Sequence, residues 1–122
     1  MQLSNSEEHL MNYLWEKGSA FMKDLLDAYP EPKPAPTTVA TLLKRMTEKN
    51  CIAYKEYGNS REYYPLIKKN QYFSKQVNGL IKNYFNDSAS QFASFFTKET
   101  NLTQKELEEL KIIIENQLKK LK

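Results

Sequence analysis

Apolar residues recur at intervals of three and four along most of this chain, the spacing that places them on one buried face of a helix. The pattern predicts a first helix from Asn5 to about Lys17, opened by a capping box between Ser4 and Glu7. Gly18 is the residue expected to end it. The chain therefore begins with two amphipathic helices, the second predicted over about Phe21–Ala28.

A third helix, predicted over residues 37–49, follows a connector that cannot form regular structure. The four prolines of Pro30–Pro36 fix the backbone and remove hydrogen-bond donors. Pro36 suits the entry to the helix, and Thr37 or Thr38 is expected to cap it. Its buried stripe is Val39, Leu42, Leu43 and Met46, and its opposite face collects Thr37, Ala40, Thr41 and Lys44, with Arg45 on the shoulder.

The exposed face of this third helix has a composition suited to the major groove of DNA. Lys and Arg side chains contact phosphate or guanine, and the methyl groups of Thr and Ala contact the methyl group of thymine. The face carries no acidic residue before Glu48. An ordinary solvated helix face would have a similar polarity, so this stretch alone leaves both interpretations open.

A β-hairpin is predicted after the third helix, over residues 52–66. Two runs rich in strand-forming residues flank the turn Gly58-Asn59-Ser60. Tyr63 and Tyr64 are adjacent, so they must point to opposite faces, and one of them is expected to belong to the core. Three helices followed by a hairpin predict a winged helix-turn-helix, with Lys55 and Arg61 flanking the tip of the wing within reach of DNA.

The chain beyond residue 67 is predicted to be helical, with three further helices. Asn70–Phe85 forms the first, a capping box of Ser88 with Gln91 opens the second, and one of Thr103 with Glu106 opens the third. These helices have too little chain to bury their apolar residues alone, so we expect an intertwined homodimer. The alternative is that they fold back on the winged domain. The expected interface residues are Phe73, Val77, Leu80, Tyr84, Phe92, Phe95, Phe96, Leu107, Leu110, Ile114 and Leu118.

Composition supports this division and adds a charge gradient. The 122 residues fit a mainly α protein with a small β-hairpin, divided into a winged domain (1–67) and a helical dimerisation domain (68–122). The net charge is +3, but six acidic and two basic residues lie between Glu7 and Glu31. Six basic and two acidic residues lie between Lys33 and Arg61. Positive charge therefore coincides with the third helix and the hairpin, as expected of a nucleic-acid interface.

The sequence carries no sign of a catalytic site, a metal site or a cofactor. His9 is the only histidine and Cys51 the only cysteine, which excludes a disulfide framework and a cysteine-rich metal cluster. The sequence has no glycine-rich phosphate loop and no run apolar enough to cross a membrane, and its N-terminus lacks the basic-then-apolar pattern expected of a signal peptide. We therefore expect a cytoplasmic protein that is not an enzyme.

Beyond these patterns, the residues resemble a bacterial family, the penicillinase and methicillin-resistance repressors with their copper-responsive relatives. Glu48-Lys49-Asn50 stands where these proteins usually show a Lys-Gly turn. The resemblance covers nearly the whole chain and rests on Leu3-Ser4 with Glu7, Leu14-Trp15, Thr38–Met46, Tyr63-Tyr64-Pro65 and Leu102–Leu110.

The resemblance implies a homodimeric transcriptional repressor that binds an inverted-repeat operator in double-stranded DNA. It implies an N-terminal winged helix and a C-terminal three-helix dimerisation arm. Thr38, Thr41 and Arg45 fall on family positions that face DNA. Thr37 and Ala40 stand where some relatives carry basic residues, so the sequence preference of this chain is expected to differ.

Two departures from the family pattern concern regulation. Some members are inactivated when a membrane sensor protease cuts an Asn-Phe bond in the dimerisation arm. The equivalent position here is Phe95-Phe96, without the Asn, so the sequence does not decide whether this chain has a protease partner. The copper-responsive relatives use a C-terminal cysteine cluster, and this chain has none there, so copper sensing by that route is not expected.

The sequence also fits a second function, that of a winged-helix module that binds protein instead of DNA. Its support is the near-neutral charge of the first 66 residues, which hold eight basic and nine acidic residues. Insensitivity of any DNA affinity to sequence and salt would favour this alternative.

Overall fold

The structure is a computed structural model that describes residues 2–122. It separates into two compact units, the first ending at Ser74 and the second beginning at Lys75. The described residues form a mainly helical fold with a small antiparallel sheet, as predicted. The elements are α1 (Asn5–Lys17), β1 (Ala20–Phe21), α2 (Met22–Ala28), α3 (Pro36–Glu48), β2 (Ile52–Tyr57), β3 (Ser60–Pro65), α4 (Lys69–Tyr84), α5 (Ala89–Glu99) and α6 (Gln104–Lys120).

The first helix has the ends that its sequence predicts. The Ser4 hydroxyl accepts a hydrogen bond from the Glu7 amide at 3.2 Å, and Glu7 Oε1 accepts one from the Ser4 amide at 2.8 Å. Gly18 follows the helix with φ 79°, and its amide donates to the Leu14 carbonyl at 2.8 Å. The predicted capping box and the predicted glycine end of α1 are therefore both confirmed.

The sheet contains one strand that the sequence did not reveal. Ala20 and Phe21 form the two-residue strand β1, which pairs antiparallel with β3 and gives the strand order β1-β3-β2. The helix α2 begins at Met22, one residue after the approximate start that was predicted, because Phe21 is in the strand and its amide donates to Asp24 at 3.0 Å. A strand of two residues is too short to show an alternating pattern.

The entry to α3 differs from the prediction. Neither Thr37 nor Thr38 caps the helix, because Ala35 is the N-cap residue and makes no side-chain cap bond. The Ala35 carbonyl accepts hydrogen bonds from the amides of Thr38 and Val39 at 3.0 and 3.3 Å. Pro36 occupies the first turn, where a missing amide hydrogen costs nothing. Both threonines therefore lie inside the first turn, with their side chains exposed.

The core of the first unit forms where α1, α2 and α3 meet the sheet and the start of α4. Tyr63 is buried and Tyr64 is half-buried, so the prediction that one of the pair belongs to the core is confirmed. Trp15 packs at the edge of the core and donates from its indole nitrogen to the Ile67 carbonyl at 2.9 Å. The buried apolar residues are Leu3, Leu10, Met11, Leu14, Ala20, Leu25, Val39, Leu42, Leu43, Met46, Cys51, Ile52, Tyr63 and Tyr72.

The second unit has well-formed helix starts. Thr103 and Glu106 make the predicted reciprocal capping box. Ser88 accepts a hydrogen bond from the Gln91 amide at 3.1 Å, but the reciprocal half predicted for this box is not made. The Gln91 side chain instead accepts from Asn86 at 3.1 Å. Local sequence thus predicts these helix starts well, except where a neighbouring polar side chain competes.

The second unit has no buried core of its own. None of residues 75–122 is fully buried, although the segment is rich in Leu, Ile and Phe. Phe85 and Phe92 make an edge-on contact with ring centroids 5.5 Å apart, and Phe92 stacks on Phe96 at 6.1 Å. Across residues 2–122, the structure has no helix that is both long and apolar enough to span a membrane.

Candidate nucleic-acid interface

The two faces of α3 are separated as the sequence predicts. The exposed face is populated by small, polar and cationic side chains, while the buried face packs into the core of the first unit. Four apolar side chains of α3 therefore fix the position of the helix against the protein interior. The exposed residues are Thr37, Thr38, Ala40, Thr41, Lys44 and Arg45, and the buried ones are Val39, Leu42, Leu43 and Met46.

The hydroxyl of Thr41 is engaged within the helix. It donates to the Thr37 carbonyl at 2.9 Å. The hydroxyl hydrogen is therefore satisfied, and the methyl group and the oxygen lone pairs remain available to a partner. This geometry favours an apolar contact by Thr41 over hydrogen-bond donation to a base.

The cations of α3 are available for an external partner. Lys44 and Arg45 are exposed, and neither has an acidic side chain within 4.0 Å in the part of the chain that the structure describes. Arg45 presents a planar guanidinium, which suits paired hydrogen bonds to guanine or phosphate, and Lys44 presents a point charge.

Lys49, which follows α3, is occupied by an internal ion pair. Its ammonium lies 2.6 Å from Glu7 Oε1 in the first turn of α1, and the Glu7 side chain is only 1% exposed. Burial raises the pKa of the Glu7 carboxyl, but hydrogen bonds from Lys49 and Ser4 outweigh it, so the pKa is lowered and the group is ionised at neutral pH. Lys49 therefore neutralises a buried carboxylate.

Lys33, in the connector, is a structural residue that sequence reasoning missed. Its ammonium donates to the carbonyls of Leu26, Asp27 and Tyr29 at 3.2, 3.1 and 2.6 Å. It thereby caps the C-terminal end of α2, where carbonyl oxygens lack partners and the helix dipole favours a cation. A lysine shortly after a helix end was the available signal.

The two wing cations lie on opposite faces of the hairpin. Lys55 is paired in register with Glu62, and Arg61 with Glu56, so side chains of consecutive register pairs point to opposite sides. The Arg61 guanidinium carbon lies 4.3 Å from the centroid of the Tyr54 ring. Each wing cation thus has an acid as its register partner on the neighbouring strand. Because the two cations lie on opposite faces, a single flat surface cannot contact both of them.

Cys51 is a buried thiol with an internal hydrogen-bond partner. Cys51 is buried, and its thiol donates to the Met46 carbonyl at 3.2 Å. Burial, followed by the charge of Glu7, raises the pKa of the thiol, which keeps it protonated. Within residues 2–122, no group of three or more His, Cys, Asp or Glu side chains is arranged to hold a metal ion.

The residues predicted to form a dimer interface are mostly exposed, with Phe92 and Leu110 half-buried. Phe73 lies in the first unit, where its ring packs against Trp15 and Tyr72 at centroid distances of 5.8 and 5.1 Å. The others that are exposed are Val77, Leu80, Tyr84, Phe95, Phe96, Leu107, Ile114 and Leu118.

The sequence and the fold of this chain are similar to those of known proteins. The family model described as Penicillinase repressor matches residues 3–116. The chain is 25% identical over 114 residues to the Methicillin resistance regulatory protein MecI of Staphylococcus aureus, with 93% of each chain covered. It is 22% identical over 115 residues to the Penicillinase repressor of Bacillus licheniformis, with 93% of this chain and 90% of that one covered.

A solved structure has the fold of the first unit. The DNA binding domain of the repressor BlaI superposes with a TM-score of 0.52 and 24% identity, covering 58% of this chain and 88% of that domain. The winged-helix fold predicted from the order of helices and hairpin is therefore confirmed.

Proposed function

This chain belongs to the penicillinase repressor family, and we propose that it is a transcriptional repressor that binds double-stranded DNA as a homodimer. Each subunit inserts the exposed face of α3 into a major groove, and the β2–β3 hairpin lies against the neighbouring backbone. The observation that carries this proposal is the composition of that α3 face. Hydroxyls, methyl groups and two cations without an acidic partner among the described residues lie together on it, and this face of the helix carries no acid before Glu48.

The contacts proposed for α3 follow from the state of each side chain. Thr41 supplies its methyl group to a thymine, because its hydroxyl already donates within the helix. Arg45 binds guanine or phosphate, and Lys44 binds phosphate. Thr37, Thr38 and Ala40 line the approach to the bases with small side chains, which permits close contact between the helix and the groove.

The wing contributes through Arg61 or Lys55, but only one face of the hairpin can meet the duplex. We favour Arg61, because the Tyr54 ring supports its guanidinium. Since only one wing cation can meet the duplex, and Lys33 and Lys49 are occupied internally, few cations per subunit remain for phosphate. We therefore expect a log–log salt dependence of about three to six units per dimer.

The second unit supports the proposal of a homodimer. Ile114, Leu118 and Leu107 are 59%, 56% and 39% exposed, and no residue of 75–122 is buried. A helical segment with this much exposed apolar surface is stabilised by burying it against a partner. A second copy of the same segment, related by a two-fold axis, presents two α3 helices to successive turns of an inverted repeat. Residues 1–67 then serve as the DNA-binding domain and 68–122 as the dimerisation domain.

A sensor protease stays among the predicted partners. The bond at Phe95–Phe96 lies inside α5, so a protease would need local unwinding of that helix to reach it. Incubation of the DNA-bound protein with extracts of induced cells, followed by mass measurement of the fragments, tests for cleavage there.

The experiment that tests the function is selection of bound fragments from genomic DNA, followed by a mobility-shift titration. Arg45→Ala is expected to weaken binding and to change the preferred bases. Lys119→Ala, at the end of α6, removes the same charge outside the proposed interface and is the matched control. Equal affinity and equal base preference for the wild type and Arg45→Ala would refute the α3 assignment.

A protein-binding winged helix is the second candidate, and one observation favours it. The first 66 residues hold eight basic and nine acidic residues, and two of the cations, Lys33 and Lys49, make internal contacts. The same titration separates the candidates, because a protein-binding module would bind DNA weakly and without sequence preference.

A further inference from the structure

Tyrosine rings on one face of the hairpin connect the core of the first unit to Arg61. Tyr63, on β3, is buried, and it is paired in register with Tyr54 on β2. The two rings are 5.5 Å apart and tilted by 55°. Tyr54 is half-buried against the core, so one edge of its ring is held by packing. The core of the first unit therefore holds both tyrosine rings in place.

The guanidinium of Arg61 follows these two rings on the same face of the hairpin. Arg61 precedes Tyr63 by two residues and lies on the same face, diagonal to Tyr54 across the strand pair. Its guanidinium carbon is 4.3 Å from the centroid of the Tyr54 ring, within the range of a cation–π contact. Arg61 makes no ion pair with Glu56, its register partner on β2.

We infer that Tyr54 is a positioning residue for Arg61: its ring holds the guanidinium by one face, so that the edge of the guanidinium can bind a DNA phosphate. This inference rests on the proposed function, since Arg61 is taken as a wing contact. A guanidinium suits this arrangement better than an ammonium, because its flat face stacks on the ring while its edge makes hydrogen bonds. Fixing the side chain before binding lowers the entropy lost on binding.

The test is a double-mutant cycle with the DNA fragment that the wild type selects. Arg61→Ala is expected to weaken binding and to reduce the salt slope by about one unit per subunit. Tyr54→Leu is expected to weaken binding by about two- to five-fold per wing, with the salt slope unchanged because the charge remains. In the Arg61→Ala background, Tyr54→Leu should have no further effect.

Two substitutions separate positioning from folding. Tyr54→Phe keeps the ring and should bind as the wild type does. Replacement of Tyr54 by pentafluorophenylalanine keeps the shape but removes the negative ring face, so it should reproduce the loss seen with Tyr54→Leu at unchanged melting temperature. Tyr57→Leu, at an exposed wing residue without a stacked cation, is the control and should leave the contribution of Arg61 intact.

The outcomes distinguish the inference from the function on which it rests. Additive losses for Tyr54→Leu and Arg61→Ala, or full affinity with the pentafluorinated ring, would overturn the positioning role while DNA binding itself stands. A wild-type protein that selects no DNA would overturn the proposed function. The ring-current shift of the Arg61 side chain, measured by NMR in the free protein, tests the stacking independently of DNA.

Discussion

Lys49, just after α3, and Glu7, in the first turn of α1, form an ion pair with 2.6 Å between the ammonium and Oε1. The two residues are 42 positions apart in sequence, and the pair joins the start of α1 to the end of α3. The two partners are unequal, because the Glu7 side chain is 1% exposed and that of Lys49 is 39% exposed. In the described structure Oε2 of Glu7 has no hydrogen-bond partner, so the buried carboxylate depends strongly on its single cation.

Removal of the cation should cost more stability than removal of the acid. Lys49→Met leaves an ionised carboxylate buried without a counter-charge, and we expect a loss of about 2–3 kcal/mol in the free energy of unfolding. Glu7→Gln keeps an acceptor for the Ser4 amide and leaves a lysine that can turn to solvent, so about 1 kcal/mol is expected. Urea denaturation followed by Trp15 fluorescence measures both. A larger loss for Glu7→Gln would contradict this account of the pair.

The same pair should make stability depend on acid pH. Because the pKa of Glu7 is lowered in the folded state, its contribution is present above the ordinary carboxyl pKa, near 4.5, and is lost as pH falls through the folded value. The difference in unfolding free energy between the wild type and Glu7→Gln should therefore be largest near neutral pH and shrink below about pH 4.5. Denaturation at a series of pH values measures this difference. A difference that grows on acidification would have the wrong sign.

Lys33 should stabilise the turn between α2 and α3. Lys33→Met removes three charge-assisted hydrogen bonds at an exposed helix end, and we expect about 1 kcal/mol of destabilisation. Lys33→Arg retains donors and charge and should recover most of it. Lys23→Met, near the start of α2, is the control and should change stability by less than about 0.5 kcal/mol. Hydrogen exchange of the α2 amides locates the effect, and unchanged exchange there would argue against capping.

Thr41 should read a thymine through its methyl group. Thr41→Ser keeps the hydroxyl that donates to Thr37 but deletes the methyl, so it should lose about fourfold in affinity for the preferred base at one operator position. Thr41→Val keeps a methyl group and should retain that preference. Competition binding with operators altered at single positions measures both. A stronger effect of Thr41→Val would indicate that the hydroxyl makes the contact.

Dimerisation should depend on one side of α6. Ile114 and Ile112 are 59% and 56% exposed, but two residues at 100° each place them on nearly opposite sides of the helix. Ile114→Asp puts a charge into the proposed apolar seam of both subunits and should weaken self-association by about 100-fold. Ile112→Asp should leave it unchanged. Sedimentation equilibrium measures both, and a wild type that stays monomeric at micromolar concentration would refute the homodimer.

Local sequence determines the helices of this protein to a large extent. A serine followed by a glutamate three residues later defines the start of α1, and apolar residues at helical spacing define the buried face of α3. These signals act within one or two turns of chain, so they hold whatever surrounds the element. The same reasoning fails at β1, whose two residues become a strand only because β3 lies beside them.

The candidate site shows the same division between local and tertiary effects. That Thr41 and Arg45 lie on the exposed side of α3 follows from the sequence, because burial of the opposite stripe leaves no other arrangement. That Lys49 pairs with Glu7, that Lys33 caps the end of α2, and that Lys55 and Arg61 point to opposite sides follow only from the tertiary structure. Periodicity records which face of an element is apolar. The partners of a charged side chain depend on segments distant in sequence, which meet only when the chain has folded.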